Sequence, residues 1–295
     1  MSDTSAKRVR MARWLTGSGL EIGALHNPLP VPQGVQVRYV DRAPTEELQR
    51  HYSDIPPEQF VPISLIGDAQ DLSSVQSDTV DFVIANHLVE HLEDPIRGLQ
   101  EMLRVIRPGG VLYVALPDPR ATFDRHRDTT SVEHILHEYQ QGTAATREQH
   151  FAEWVDKVER NVHADIAPDD ESFAARVAAL MEMDYSIHFH VWRPDTFLDL
   201  LAAARRECAL DMELLDFAAC DGGRDNEFVF IFGKGIATEP RPLPPEPSAA
   251  AGAVDLEAQL AQCRVELEAV HASFSFRLGY RLMAPMRVLR RRTTR

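Results

Sequence analysis

The chain of 295 residues is poor in cysteine and has no long uncharged apolar run. Its three cysteines, Cys208, Cys220 and Cys263, are odd in number and far apart. That pattern excludes a disulfide scaffold and zinc-finger spacing, and it fits a reducing, cytoplasmic setting. Met1 to Arg10 is polar and basic with no apolar stretch after it, so no signal peptide is expected. No segment is apolar for long enough to suggest a bilayer-spanning helix. Positive charge is also scarce over most of the chain. The net charge is −14, yet residues 236–295 hold nine Arg against six acids, which leaves −17 on the residues before them. An acidic body of that kind repels phosphate backbones, and nucleic acid is not an expected partner.

What is present begins with LEIGALHNP, residues 20–28. An apolar run that carries an acid and then breaks at Gly23 reads as a parallel strand turning toward a helix. Glycine there admits backbone dihedrals closed to other residues and lets a ligand approach. Asp41 closes a second strand-like run, VQVRYVD, where a carboxylate can grip the ribose hydroxyls of an adenosine-containing cofactor.

Further strands are expected at 61–66, 79–85 and 111–116. The last two are nearly continuous apolar runs, as in parallel strands covered on both faces. Between them Asp94 reads as an N-cap before Pro95 and a helix through Ile106, which Pro108-Gly109-Gly110 ends. A basic N-terminal helix is expected over 4–15 and a short one over 45–52. Residues 194–208 form a helix, and ALDMELLDFAAC and NEFVFIFGKG form an antiparallel hairpin. The order implies an α/β fold with a doubly wound sheet.

Residues 117–192 interrupt this order with helical, polar sequence that holds seven of the twelve histidines, placed where a lid or substrate-binding insertion would sit. The domain reading is therefore a body over 1–235 containing that insertion. It is followed by a Pro/Ala-rich linker over 236–253 and a short coiled coil over 254–274, from which a homo-oligomer could form. A basic amphipathic tail over 275–295 could touch a membrane surface or a partner protein.

The ordered series LEIGALHNP, VDR, IGDAQDL, FVIANHLVEHLEDP and EMLRVIRPGGVLYVALPD resembles the class I S-adenosylmethionine-dependent methyltransferases, in particular a branch met in polysaccharide and O-antigen biosynthesis. The resemblance covers roughly residues 18–235. It implies a Rossmann-like, seven-stranded, mostly parallel sheet with a C-terminal antiparallel hairpin. Glu21, Gly23, Asp41, Asp68, Ala69 and Asn86 are the implied cofactor contacts. By this likeness Gly23 lies against the methionine portion, Asp41 on the ribose diol, Asp68 and the Ala69 amide on the adenine, and Asn86 along the pocket. The chain departs from the family at Leu25 and Asn27, where a second and a third glycine are usual. Asn27 is a residue able to take a left-handed conformation, and Leu25 is expected to narrow the room.

Methyl transfer to a hydroxyl of a sugar, glycan or related small acceptor needs a base, and histidine suits neutral pH. The candidates are His91, Asp118, His126, and His188 with His190, which share a face if their segment is extended. His87-Leu88-Val89-Glu90-His91 also matches the inverted zinc-protease pattern H-x-x-E-H. It follows a buried strand directly rather than sitting within one long helix, and zinc proteolysis is not expected. No cluster of acids has metal-site spacing, and no metal ligand is assigned. Two other classes share some of these features: a nicotinamide-dependent oxidoreductase, against which the missing G-x-G-x-x-G argues, and a non-catalytic methyltransferase-fold scaffold at a membrane.

Overall fold

The computed structural model describes residues 3–53, 55–162, 171–221 and 225–235. The expected linker, coiled coil and basic tail lie outside the described residues. Seven strands form one sheet: β1 Ser18–Ile22, β2 Gln36–Asp41, β3 Ile63–Ile66, β4 Val80–Asn86, β5 Ile106–Pro117, β6 Glu213–Ala218 and β7 Glu227–Gly233. Their order is β3-β2-β1-β4-β5-β7-β6. The first five run parallel, and β7 pairs antiparallel with both β5 and β6. The expected hairpin is present.

Helices are α1 Asp3–Ala12, α2 Thr45–His51, α3 Pro95–Val105, α4 Val132–Gln141, α5 Arg147–Glu153, α6 Arg160–Val162, α7 Phe173–Glu182 and α8 Pro194–Glu207. Side chains alternate across a strand, so the central strands bury two faces at once. Leu20, Ile22, Val83, Ala85, Leu112, Val114, Phe228 and Phe230 join residues of α3 and α8 in one core. Phe82, Ile84, Tyr113, Val229 and Ile231 pack against Met11, Trp14 and Leu15, at and just past the end of α1.

Asp94 caps α3 by accepting from the Arg97 N–H at 3.0 Å, with Pro95 in the first turn. The turn expected at Pro108-Gly109-Gly110 is instead part of β5, where the register with β4 shifts. Gly109 takes φ +81, and its N–H bonds to the Lys234 carbonyl at 2.6 Å, so the irregularity is an extra loop of strand held from β7's end.

The insertion 117–192 carries α4 to α7 with a π-helical stretch Trp154–Glu159 continuing α5. It has its own apolar cluster, including Phe151, Trp154, Val155, Val177, Leu180, Ile187 and Phe189. It docks on the loop that follows β4. Phe189 N–H donates to the Glu90 carbonyl at 2.7 Å, Thr143 Oγ1 donates to Glu93 Oε2 at 2.9 Å, and Arg147 pairs with Glu93. Residues 185–193 form no strand.

Candidate active site

Gly23 follows β1 with φ +72, and its N–H holds the Val40 carbonyl at 2.9 Å. A Cβ built there would meet only Leu88 Cδ1, at 3.5 Å, so the crevice beside it is open. The next departure from helix or strand geometry is Leu25 rather than Asn27, since Leu25 takes φ +49. A leucine thus adopts the backbone that glycine would supply. Left-handed geometry costs a leucine about 1–2 kcal/mol. Its half-buried side chain packs against Leu48, Tyr52 and Phe60, and since full burial of a leucine contributes about 1.5–3 kcal/mol, this partial burial is of the same order as the strain. The loop keeps its turn, and the leucine lies in that cluster.

Asp41 ends β2 and is buried, with Oδ1 accepting from the Arg42 N–H at 2.7 Å. Burial pushes its carboxyl above the usual range, opposed by Arg42. The Gly67 N–H bonds to the Asp41 carbonyl at 3.0 Å, which brings the turn carrying Asp68 and Ala69 to the end of β2. Asp68 is exposed and accepts from the Gln70 N–H at 2.7 Å, while Ala69 is buried. Asn86 ends β4, and its buried side-chain oxygen has no hydrogen-bond partner. An open glycine, two carboxylates and an unpartnered amide oxygen therefore line the carboxyl ends of four neighbouring strands. That donor and acceptor set fits a nucleoside with hydroxyls and an exocyclic amine.

Glu21 differs from its expected role. It is fully buried, and its carboxylate accepts from the Leu29 N–H at 2.9 and 3.2 Å. Burial pushes its carboxyl up to about 7, against the Leu29 bond and the Arg8 charge. Glu21 holds the far end of the loop that Gly23 opens.

On the neighbouring side, His87 takes φ +51 immediately after β4, and Val89–His91 is a single 3-10 turn. The two histidines of the H-x-x-E-H pentad therefore do not share a helix. His87 Nε2 lies 2.8 Å from Glu227 Oε2, which Arg8 also grips at 2.6 Å. Burial alone would raise the Glu227 carboxyl, but His87 and Arg8 outweigh it and hold it at about 2. Glu90 is buried, and neither carboxylate oxygen has a hydrogen-bond partner. Burial raises its carboxyl to about 7.

The sequence candidates for the base part company here. His188 is buried, and its Nδ1 lies 2.6 Å from Asp124 Oδ2. The other Asp124 oxygen accepts from Arg127 Nη1 at 3.0 Å, and Arg127 also donates to the His188 carbonyl at 2.8 Å. Burial works against the Asp124 charge, yet His188 and Arg127 bring the carboxyl below its ordinary value. His91 Nδ1 donates to the Ile187 carbonyl at 2.8 Å, and its ring meets the His188 ring edge to face at 4.7 Å. Burial and the neighbouring His188 push His91 down to about 3, which makes it a poor proton acceptor at neutral pH.

Asp118 is buried and bonded through both oxygens to Arg120, at 2.9 and 2.6 Å. Burial raises its carboxyl, but Arg120 outweighs that and leaves it below the ordinary value. His126 is exposed, beside Arg125. His190 does not share a face with His188. It reaches the Glu93 carbonyl at 3.2 Å, beside Glu138, His134 and His150, and burial pushes it down to about 3. Asp124, Arg127 and Glu138 were not singled out in the sequence, and Glu90 was noted only within the H-x-x-E-H pattern. The i,i+4 pair His134 and Glu138 is the one local signal among these groups.

Residues 16–114 match a family model described as a methyltransferase domain. The match ends within β5, and the sheet that contains it has the Rossmann-like, mostly parallel order with an antiparallel hairpin that the motif series implied. A protein of Mycolicibacterium smegmatis described as a probable S-adenosylmethionine-dependent methyltransferase is 31% identical over 153 residues, which are 43% of this chain and 59% of that protein. The chain thus spans less than two thirds of that relative's length. Among solved structures, a Thermotoga maritima S-adenosylmethionine-dependent methyltransferase, titled a possible histamine N-methyltransferase, is 17% identical with a TM-score of 0.43, covering 78% of this chain and 89% of that one. A Methanosarcina mazei S-adenosylmethionine-dependent methyltransferase is 17% identical with a TM-score of 0.39, covering 77% and 97%.

Proposed function

We propose that this methyltransferase-fold protein methylates a hydroxyl of a sugar, glycan or related small acceptor, with His188 as base and Asp124 as its positioning residue. The domain match and the Mycolicibacterium relative support the reaction class. The sugar class rests on the likeness of the ordered motifs to glycan-biosynthesis enzymes. When bound, S-adenosylmethionine supplies a methyl carbon already activated on a sulfonium. The chain's own tasks are to align the acceptor, keep water out and remove one proton. Asp41 would hold the ribose hydroxyls, Asp68 and Ala69 the adenine edge, Asn86 the pocket wall, with Gly23 leaving room beside them.

The observation that carries the hydroxyl reading is the 2.6 Å contact between His188 Nδ1 and Asp124. A carboxylate accepts there, so Nδ1 carries the hydrogen and Nε2 keeps its lone pair. Arg127 fixes Asp124 from the other side, which holds the ring in one orientation. An acceptor hydroxyl within hydrogen-bond reach of Nε2 would lose its proton as the oxygen attacks.

The test has two stages. Calorimetry of the full chain should show S-adenosylmethionine binding that Asp41→Ala weakens at least tenfold; equal binding by that variant sinks the pocket assignment. Acceptor panels should then yield S-adenosylhomocysteine with sugars and lose it with His188→Ala. Turnover confined to amines would overturn the hydroxyl reading and leave the cofactor pocket standing. The basic tail, residues 275–295, we propose to bring the enzyme to anionic membrane surfaces. Sedimentation with anionic vesicles should fall after truncation at Gly235, and unchanged sedimentation refutes it.

A further inference from the structure

Four groups of the insertion converge on one point apart from His188. They are His134 and Glu138 on α4, His150 on α5, and His190 in the segment before α8. One ligand atom from each lies within 4.8 Å of all the others. His134 Nε2 and His150 Nε2 are 3.1 Å apart, and they lie 3.1 and 2.7 Å from the same oxygen, Glu138 Oε1. His190 Nε2 is 3.6 Å from the other oxygen, Oε2.

Hydrogen bonding alone serves this arrangement badly. Two imidazole nitrogens face each other and one carboxylate oxygen. If both carry hydrogens, two N–H groups 3.1 Å apart crowd one oxygen that already accepts from Thr146 Oγ1; if only one does, a lone pair faces the carboxylate. Meanwhile Glu138 Oε2 and His190 Nδ1 are buried with no hydrogen-bond partner at all. Glu138 and His190 are each 1% exposed and His150 is 6% exposed, so water reaches little of the cluster. Buried polar atoms left unpaired in this way call for an ion or another explanation.

A divalent cation accounts for the opposed nitrogens of His134 and His150 and for the unpartnered Glu138 Oε2; His190 Nε2 would exchange its bond to the Glu93 carbonyl for the ion. Bonds of about 2.0–2.1 Å in a tetrahedron put donor atoms roughly 3.3 Å apart, close to the separations here. Three imidazoles and one carboxylate suit zinc or a similar transition ion and do not suit calcium or magnesium, which prefer oxygen. Thr146 Oγ1 donates to Glu138 Oε1 at 2.5 Å, the kind of outer contact that orients a ligating carboxylate. We propose that His134, Glu138, His150 and His190 bind one zinc-type divalent ion and clasp α4, α5 and the segment carrying His188. Four protein ligands close the coordination sphere, so the ion's role is structural. The site stands whether or not the acceptor is a hydroxyl.

Full-length, untagged protein should carry close to one zinc per chain by elemental analysis. Chelator-stripped protein should bind cobalt(II) at one per chain, with the strong visible bands of tetrahedral coordination. It should also melt lower than the zinc-loaded protein. His150→Ala and Glu138→Gln should weaken zinc binding at least tenfold and abolish the cobalt bands, whereas His137→Ala, exposed on the same helix, should leave both unchanged. If a ligand variant fails to fold, the stripped wild type decides through stoichiometry and melting. Sub-stoichiometric zinc, an absent cobalt spectrum, or stripped protein that melts unchanged when zinc is returned would show a plain hydrogen-bonded cluster and overturn the site. None of these readouts depends on methyl transfer, so loss of activity with an intact metal site would count against the proposed reaction alone.

Discussion

Two histidines, His188 and His190, stand two residues apart and meet opposite surroundings. His188 leans on one carboxylate, Asp124, which a buried arginine holds in place, and the two faces of that contact are unequal. His190 enters a ring of groups that all point inward, with no cation among them in hydrogen-bond reach and a carboxylate oxygen left over. The first surrounding is the one proposed to make a base, with the Nδ1 side committed to Asp124. The second makes a cage. Residue type is therefore a weak guide to role within this insertion; the count and the direction of the partners decide it.

The largest effect should come from separating the two. His188→Ala should lower turnover by about 10²–10⁴-fold, the range for losing a general base, while zinc content stays at one per chain. Loss of the metal together with turnover would mean that both histidines serve one site. Asp124→Asn should cost less, about 10²-fold in kcat with KM nearly unchanged. It should also shift the pH–rate profile, because an amide no longer selects the Nδ1–H tautomer. An unshifted profile would reduce Asp124 to a packing residue.

These contrasts also mark how far the sequence could be read. The parallel strands were legible because runs such as FVIA and VLYVAL are apolar on successive residues, which demands cover on both faces. The placing of Gly23, Asp41 and Asn86 at strand ends was legible because they close such runs, where the chain must turn. The sequence reading expected Asn27 to take the left-handed turn and Leu25 to narrow the room; the turn falls at Leu25 instead, whose side chain packs on Leu48, Tyr52 and Phe60. The bond of Glu21 to the Leu29 amide was not legible, because an acid at a strand end gives no hint of which face it serves. The insertion was the least legible part. His134 and Glu138 are a turn apart on one helix, but His150 and His190 join them only through tertiary contacts, and Asp124 meets His188 across 64 positions.

The same contrast of partners separates two buried acids in the sheet. Glu227 has Arg8 and His87; Glu21 has chiefly the Leu29 amide. The stability Glu227 contributes is present above the unfolded carboxyl value and is lost as pH falls toward about 2. Glu21 has the opposite sign. Its folded value is about 7, above the unfolded one, so the fold favours the protonated form and loses stability as pH rises from about 4.5 to 7. Glu21→Gln keeps a carbonyl for Leu29 and removes that slope. Relative to wild type it should gain roughly 2–3 kcal/mol between pH 5 and pH 8, read by denaturant unfolding at both values. A parallel pair of curves would show that Glu21 stays ionised in the fold.

The smallest effect tests the loop beside the proposed cofactor crevice. At most positions glycine destabilises more than alanine, by roughly 0.5–1 kcal/mol. At position 25 the order should reverse. Both variants lose the packing against Leu48, Tyr52 and Phe60, but alanine keeps the strain of φ +49 and glycine does not. Leu25→Ala should therefore unfold about 1 kcal/mol more easily than Leu25→Gly, and cofactor affinity should fall more for the alanine, because strain released by the loop moves Gly23. The normal order, with glycine the weaker of the two, would mean that the loop leaves the left-handed region in solution and that the leucine does not stand in for the family's second glycine.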